Sequence, residues 1–223
     1  MPGINGCIEH NVVMEEIIKD AKHNKRTTHI IFFDLEDAFG SVPYSLIDVT
    51  LERNVIPENI KTYFHNLYSH AQAVTQTITW RSDTFSFKRG VFQGYPISPV
   101  IFLLVFHPIL QDLQNNSQTG YKPGDISYVT LPYADDFCLI STHKGTHQKI
   151  INKIHSHVSS LGMKLKPSKC ISLSISSGKP KDEPFFIGDY RVSSICEKEQ
   201  KFLGKLLFFN GRSEDTFQHI MKF

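Results

Sequence analysis

The chain has 223 residues, enough to bury one sizeable core, and its 40% apolar and 12% aromatic content is that of a folded protein, not a disordered one. Its net charge is only +2, so bulk charge gives no argument for nucleic-acid binding. Any electropositive surface is local, as at Lys164, Lys166 and Lys169 and later at Lys179, Lys181, Lys198, Lys201 and Lys205.

In chain order, the start Met1-Pro2-Gly3-Ile4-Asn5-Gly6 has neither a basic nor an apolar region, so no signal peptide is expected. Residues 10–23 read as a helix, with Val13, Ile17, Ile18 and Ala21 on one side and Glu15, Glu16, Lys19 and Asp20 on the other. A strand over residues 29–34 follows the polar stretch His23 to Thr28. Ser41-Val42-Pro43 starts a helix that ends near Asn54, and Pro57 opens another that ends near His70. Residues 73–80 alternate Val74, Gln76, Ile78 and Trp80 against threonines, and with Thr84–Phe87 beyond the turn Arg81-Ser82-Asp83 they predict a hairpin.

Ser98-Pro99 is a helix start, a hydroxyl cap followed by proline where no amide hydrogen is needed. That helix is apolar nearly all round from Pro99 to Leu110 and is expected in the core; it is too short, and broken by His107 and Pro108, to span a membrane. Residues 114–124 read as a polar loop. A hairpin then pairs Tyr128–Leu131 with Phe137–Ile140, and Ile150, Ile151, Ile154, Val158 and Leu161 mark an amphipathic helix closed by Gly162. Short strands are expected near 163–166, 170–176, 185–195 and 201–209, and a new helix after Ser213 makes the chain read as a fragment. The cysteines (Cys7, Cys138, Cys170, Cys196) form no CxxC pair, which argues against a zinc site or a disulfide framework and fits an intracellular, unsecreted protein. His143 and His147 could share a helix face, but no third ligand lies near them in sequence.

The chemistry concentrates on three carboxylates. Asp135 and Asp136 are adjacent at the tip of the predicted 128–140 hairpin, and Asp34 ends the apolar run Ile30-Ile31-Phe32-Phe33. Acidic groups that close repel each other, so a cation is their natural partner. If the two strands are neighbours, the three meet at one sheet end, as two-metal nucleotidyl transfer requires. A plain turn, where aspartate is common, is the competing account of Asp135-Asp136.

Here the residues resemble a family. Phe33-Asp34-Leu35-Glu36-Asp37-Ala38-Phe39-Gly40-Ser41-Val42-Pro43, then Gly90-Val91-Phe92-Gln93-Gly94-Tyr95-Pro96-Ile97-Ser98-Pro99, then Tyr133-Ala134-Asp135-Asp136, look like motifs A, B and C of reverse transcriptases. Leu161 to Cys170 and Phe202-Leu203-Gly204 resemble motifs D and E, and Ala38 to Pro43 with Gly6-Cys7-Ile8-Glu9-His10 upstream looks most like the non-LTR, LINE-type enzymes. The resemblance covers essentially the whole chain, residues 1–223, as one reverse transcriptase domain fragment. It implies an α+β right-hand polymerase palm, an antiparallel sheet packed on helices, with partial fingers and a truncated thumb.

The resemblance also implies RNA-directed DNA synthesis with two Mg2+ ions, or Mn2+ in their place. RNA template, DNA primer and deoxynucleoside triphosphates are the implied partners, along with the rest of an element-encoded polyprotein, in the nucleus. Asp34 and Asp135 match the bridging metal ligands and Asp136 a weaker ligand. Lys169 matches a proton donor to departing pyrophosphate, with a solvated lysine as the competing account. Phe39 matches the ring that rejects a 2′-hydroxyl by volume, against a core phenylalanine. Gln93 and Gly94 match the turn beside the nascent base pair, against an ordinary loop glycine before a helix. Phe202-Leu203-Gly204 matches the primer grip, against a buried strand.

The chain departs from the family at two places in motif B. Phe92 and Tyr95 stand where a basic and an acidic residue are common, at the rim of the substrate pocket. Two other readings compete with the polymerase: a truncated, catalytically silent remnant that at most binds nucleic acid, and a relative of intron maturases.

Overall fold

The computed structural model describes residues 6–115, 119–196, 200–203 and 205–207. In chain order the elements begin α1 (Gly6–His23), β1 (Thr28–Phe33), α2 (Tyr44–Arg53), α3 (Glu58–Ser69), β2 (Gln72–Ala73), β3 (Phe85–Ser86) and α4 (Ser98–Gln114). They continue with β4 (Thr130–Tyr133), β5 (Asp136–Ser141), α5 (Lys144–Ser160), β6 (Ile171–Ser176), β7 (Lys179–Pro180), β8 (Phe186–Ile187), β9 (Tyr190–Arg191), β10 (Ser193–Ser194), β11 (Gln200–Phe202) and β12 (Lys205–Leu207). These form two compact units: Met1–Leu35 with Ile109–His157 and Leu165–Phe223, and Glu36–Pro108 with Val158–Lys164.

The first unit is built on a six-stranded sheet in the order β10-β6-β1-β5-β4, with β7 added against β6. β1 is antiparallel to both neighbours, and all six of its residues are buried, so its unbroken apolar run reflects burial on both faces. Ile30 and Phe32 join Cys138, Ile140, Leu173 and Ile175 in a cluster with Met14, Ile17, Ile18 and Ala21 of α1. Alternation sends His29, Ile31 and Phe33 to the opposite face, where the His29 ring meets His147 of α5. β4 is the edge strand, which is why Pro132 is tolerated in it: its missing N–H costs no ladder bond.

Several sequence expectations shift by a few residues. α1 begins at Gly6, and its buried line is Met14, Ile17, Ile18 and Ala21, with Val13 only partly covered. The expected strand at 163–166 is reduced to one bridge, Leu35 to Leu165. His147 is buried against Ser141, His29 and Phe185 as a core histidine. Residues 208–223, where a further helix was expected, lie outside the described residues, as does part of the 114–124 loop.

In the second unit, α2 and α3 start directly after Pro43 and Pro57. The expected hairpin keeps the pairs Gln72–Ser86 and Ala73–Phe85 and a single bridge Gln76–Arg81, and its turn is Thr77–Trp80, closed by Thr77 N–H to Trp80 O at 2.7 Å, not Arg81–Asp83. Ile78 and Trp80 are exposed there, so their alternation marks no core face. The α4 segment in this unit is one-sided: Ile101, Phe102, Val105 and Phe106 are buried, while Val100 and Leu103 are exposed. Its expected cap, Ser98, instead donates its hydroxyl to the Phe92 carbonyl at 2.5 Å. Among the described residues no helix is long and apolar enough to cross a membrane.

Candidate active site

The register of the first unit brings the acidic residues together. β1 ends at Phe33, which pairs with Phe137 of β5. One residue further along, the same register continued sets Asp34 level with Asp136, and the two carboxyls feel each other's charge. Tyr133 pairs with Asp136, so Ala134 and Asp135 form a two-residue turn at the hairpin tip. Ala134 takes φ +53°, a conformation a residue with a Cβ rarely adopts and one that clusters at functional sites. Beneath, the rings of Phe33 and Phe137 stack at 4.8 Å and fix the floor of the site.

The electrostatics are those of a site short of positive charge. Partial desolvation, then the negative charges of Asp135 and Asp34, push the Asp136 carboxyl above the usual carboxylate range. Oδ2 of Asp34 is buried with no hydrogen-bond partner among the described residues. The nearest cation is Lys169, whose Nζ stands 3.8 Å from that oxygen on a mostly exposed side chain. The Asp34 backbone is held from behind: its carbonyl accepts the Lys166 N–H at 2.8 Å, and its own N–H points at the Cys170 sulfur at 3.5 Å. Burial pushes the Cys170 thiol up to about 11, so it stays protonated there.

Hard oxygen donors, one of them buried and unsatisfied, suit a divalent cation. Among the described residues no three His, Cys, Asp or Glu side chains already stand at ligand spacing.

Tyr133 completes this end. It packs edge-on to His10, and a Cβ on Gly6 would stand 3.3 Å from its ring. The segment Gly6–His10 is therefore the seat of the hairpin, a role its sequence did not reveal. The supports from Cys170 and Lys166 were equally invisible, because nothing in a free thiol or a backbone amide marks its partner.

Phe39, Gln93 and Gly94 belong to the second unit. Phe39 is half-buried, stacked on Phe102 at 4.8 Å, and its carbonyl accepts the Val91 N–H at 2.8 Å. Gln93 is exposed. Gly94 has φ +84°, and a Cβ there would have nothing within 4 Å, so the backbone faces open space. Of the expected motif E, Leu203 packs against the α1 cluster and its carbonyl accepts Asn11 Nδ2 at 3.4 Å, while Gly204 lies outside the described residues.

A six-stranded, mainly antiparallel sheet with acidic residues at one end and helices against it defines a polymerase palm. Residues 4–207 match the reverse transcriptase (RNA-dependent DNA polymerase) family, and the chain belongs to that family. Among curated relatives it is 27% identical to the Pol polyprotein of the type-2 retrotransposable element R2DM of Drosophila melanogaster, over 93% of this chain and 20% of that protein. It is also 27% identical to the type-1 R2 polyprotein of Nasonia vitripennis, over 90% of this chain and 20% of that one. The chain thus spans about a fifth of the length of these relatives, both from non-LTR elements. Apo telomerase from Candida tropicalis shares the fold, with a TM-score of 0.61 over 90% of this chain and 34% of that one at 15% identity. The family depends on divalent metal ions.

Proposed function

We propose that the chain supplies the palm of an RNA-directed DNA polymerase that copies element RNA into DNA. The observation that supports this most is the alignment of Asp34 with Asp136 across β1 and β5, with a buried Asp34 oxygen left unsatisfied. Two Mg2+ ions, or Mn2+ in their place, held by Asp34 and Asp135 and more weakly by Asp136, would activate the primer hydroxyl and neutralise the triphosphate.

The remaining roles belong to the protein's own groups. Asp136, with its carboxyl pushed up, adds negative potential at the primer end. Lys169 holds a proton beside Asp34 and gives it to the departing pyrophosphate. Phe39, fixed by its stack on Phe102, presents a ring that leaves no volume for a 2′-hydroxyl. Gly94 lets the nascent base pair approach the backbone, and the exposed Gln93 carboxamide offers it a hydrogen bond. RNA template, DNA primer and deoxynucleoside triphosphates are the partners this chemistry needs.

The test is primer extension on an RNA template with Mg2+ by the chain in its full polyprotein context. Incorporation is expected, and Asp135→Asn abolishes it. Phe39→Val relaxes discrimination against ribonucleotides by about 10–100-fold, the scale of a volume-based filter. Duplex binding with no incorporation by the parent protein identifies a silent nucleic-acid-binding remnant instead.

A further inference from the structure

Both motif B departures lie in one aromatic assembly of the second unit. The Phe92 ring stacks on Tyr68 of α3 at 5.1 Å with the planes 8° apart, and Tyr44 of α2 backs Tyr68 at 4.8 Å. Phe92 also meets Tyr95 at 6.1 Å. Tyr68 is 3% exposed, so its ring is a fixed reference for whatever packs on it.

The backbone of Phe92 is held as firmly as its ring. The Tyr68 hydroxyl lies against the Phe92 backbone, a contact that lowers the phenol's pKa. Burial outweighs that contact and pushes the phenol up to about 12, so the hydroxyl stays neutral. On the other side, the Phe92 carbonyl accepts the Ser98 hydroxyl at 2.5 Å and the Tyr95 N–H at 3.3 Å. The next two residues, Gln93 and Gly94, are exposed, and Gly94 has no side chain to pack. The position of that turn is therefore inherited from residue 92.

We propose that Tyr68 and Ser98 are positioning residues for the Gln93–Gly94 turn, clamping the Phe92 peptide from both sides so that the turn is preorganised for the incoming nucleotide. The proposal rests on the polymerase reading for its substrate, though not for the clamp itself. A preorganised turn acts on nucleotide binding more than on bond making, because it touches neither the carboxylates nor the reacting atoms.

The deciding variants are Tyr68→Phe, which removes the hydroxyl and keeps the ring, and Ser98→Ala, with Ser98→Thr as the rescue. In primer extension by the full-length protein, each of the first two raises KM for deoxynucleoside triphosphate about tenfold, the effect of one lost hydrogen bond, and leaves kcat within about threefold. Ser98→Thr restores KM. Amide hydrogen exchange without nucleotide gives the independent readout: exchange at Gln93, Gly94 and Tyr95 speeds up in Tyr68→Phe, while β1 and β5 keep their protection. Unchanged exchange at those three amides overturns the clamp whatever the polymerase assay shows. An unchanged KM with faster exchange overturns its link to nucleotide affinity. A parent protein that extends no primer sinks the polymerase reading, and the exchange result still decides the clamp.

Discussion

The two ends of the β1–β5 ladder solve the problem of a buried polar group in opposite ways. At the start of β1, His29 Nδ1 is hydrogen-bonded to Ser174 Oγ at 2.9 Å and His147 Nδ1 to Ser141 Oγ at 2.8 Å, with Phe185 packed against both rings. Burial pushes both imidazoles down, His147 to about 3, so this end is neutral. At the other end, three carboxylates share one edge of the sheet with Asp34 Oδ2 unsatisfied, and Lys169 is the nearest cation. The first end is neutral and packed into the core, with His147 Nε2 left without a hydrogen-bond partner among the described residues. The second end carries carboxylates around its unsatisfied oxygen, and negative charge left open on a rigid sheet is what a site for a cation looks like.

Removing the open charge tests that contrast most severely. Asp135→Asn or Asp34→Asn lowers the rate of primer extension at least about 10³-fold, because a neutral amide cannot hold a divalent ion. A steady-state assay across Mg2+ concentrations checks it, and a variant rate within tenfold of the parent refutes the assignment.

At the neutral end the large effect is on pH dependence. Unfolded histidines titrate near 6.5, whereas these stay neutral in the fold, so the unfolded chain binds more protons below that pH. Stability is complete above about 6.5 and is lost as pH falls toward 3, by up to ~1.4 kcal/mol per unit for His147, with His29 acting in the same direction. Urea midpoints at pH 8 and pH 5 measure it. The double variant His147→Leu with Ser141→Ala, which removes the histidine and its partner together, flattens the difference.

A cation supplies the next test without any need for activity. Mg2+ at about 100 times its dissociation constant stabilises the parent by ~2.7 kcal/mol through binding linkage, and Asp34→Asn loses that gain. Melting curves with and without Mg2+ distinguish the two. Equal Mg2+ shifts in parent and variant place the ion elsewhere.

The smallest effect has the opposite sign to the histidines. The Asp136 carboxyl is pushed up, so its destabilising contribution is absent at pH below about 3.8 and grows to completion as pH rises through the folded value. Asp136→Asn therefore stabilises the metal-free chain at pH 7 slightly, because solvent screens this exposed group, while it weakens extension. A lower melting temperature for this variant would mean that the carboxylates do not strain the fold.

Much of this is legible in the residues alone. The apolar run 30–33 reads correctly as a strand, because an unbroken apolar run bounded by polar residues is how a strand buried on both faces appears in sequence. The Asp135-Asp136 hairpin is legible for a similar reason, two apolar runs around a short turn. Reading fails where contacts come from distant residues. Met14 replaces Val13 on the buried line of α1, and alternation at 74–80 suggests a core face where Ile78 and Trp80 are exposed. A periodic pattern says that one face differs from the other, not that something covers it.

The chain's order of residues determined, by itself, which family it belongs to and which side chains have the charge and hardness to hold a divalent cation. Those properties are local and survive in an unfolded chain. Only the tertiary structure decided that Asp34 lies level with Asp136, that Cys170 and the Lys166 amide support it, that Gly6–His10 seats Tyr133, and that Tyr68 and Ser98 grip Phe92. Strand register and packing partners arise from burial shared among residues far apart in the chain, and no stretch of sequence holds that information alone.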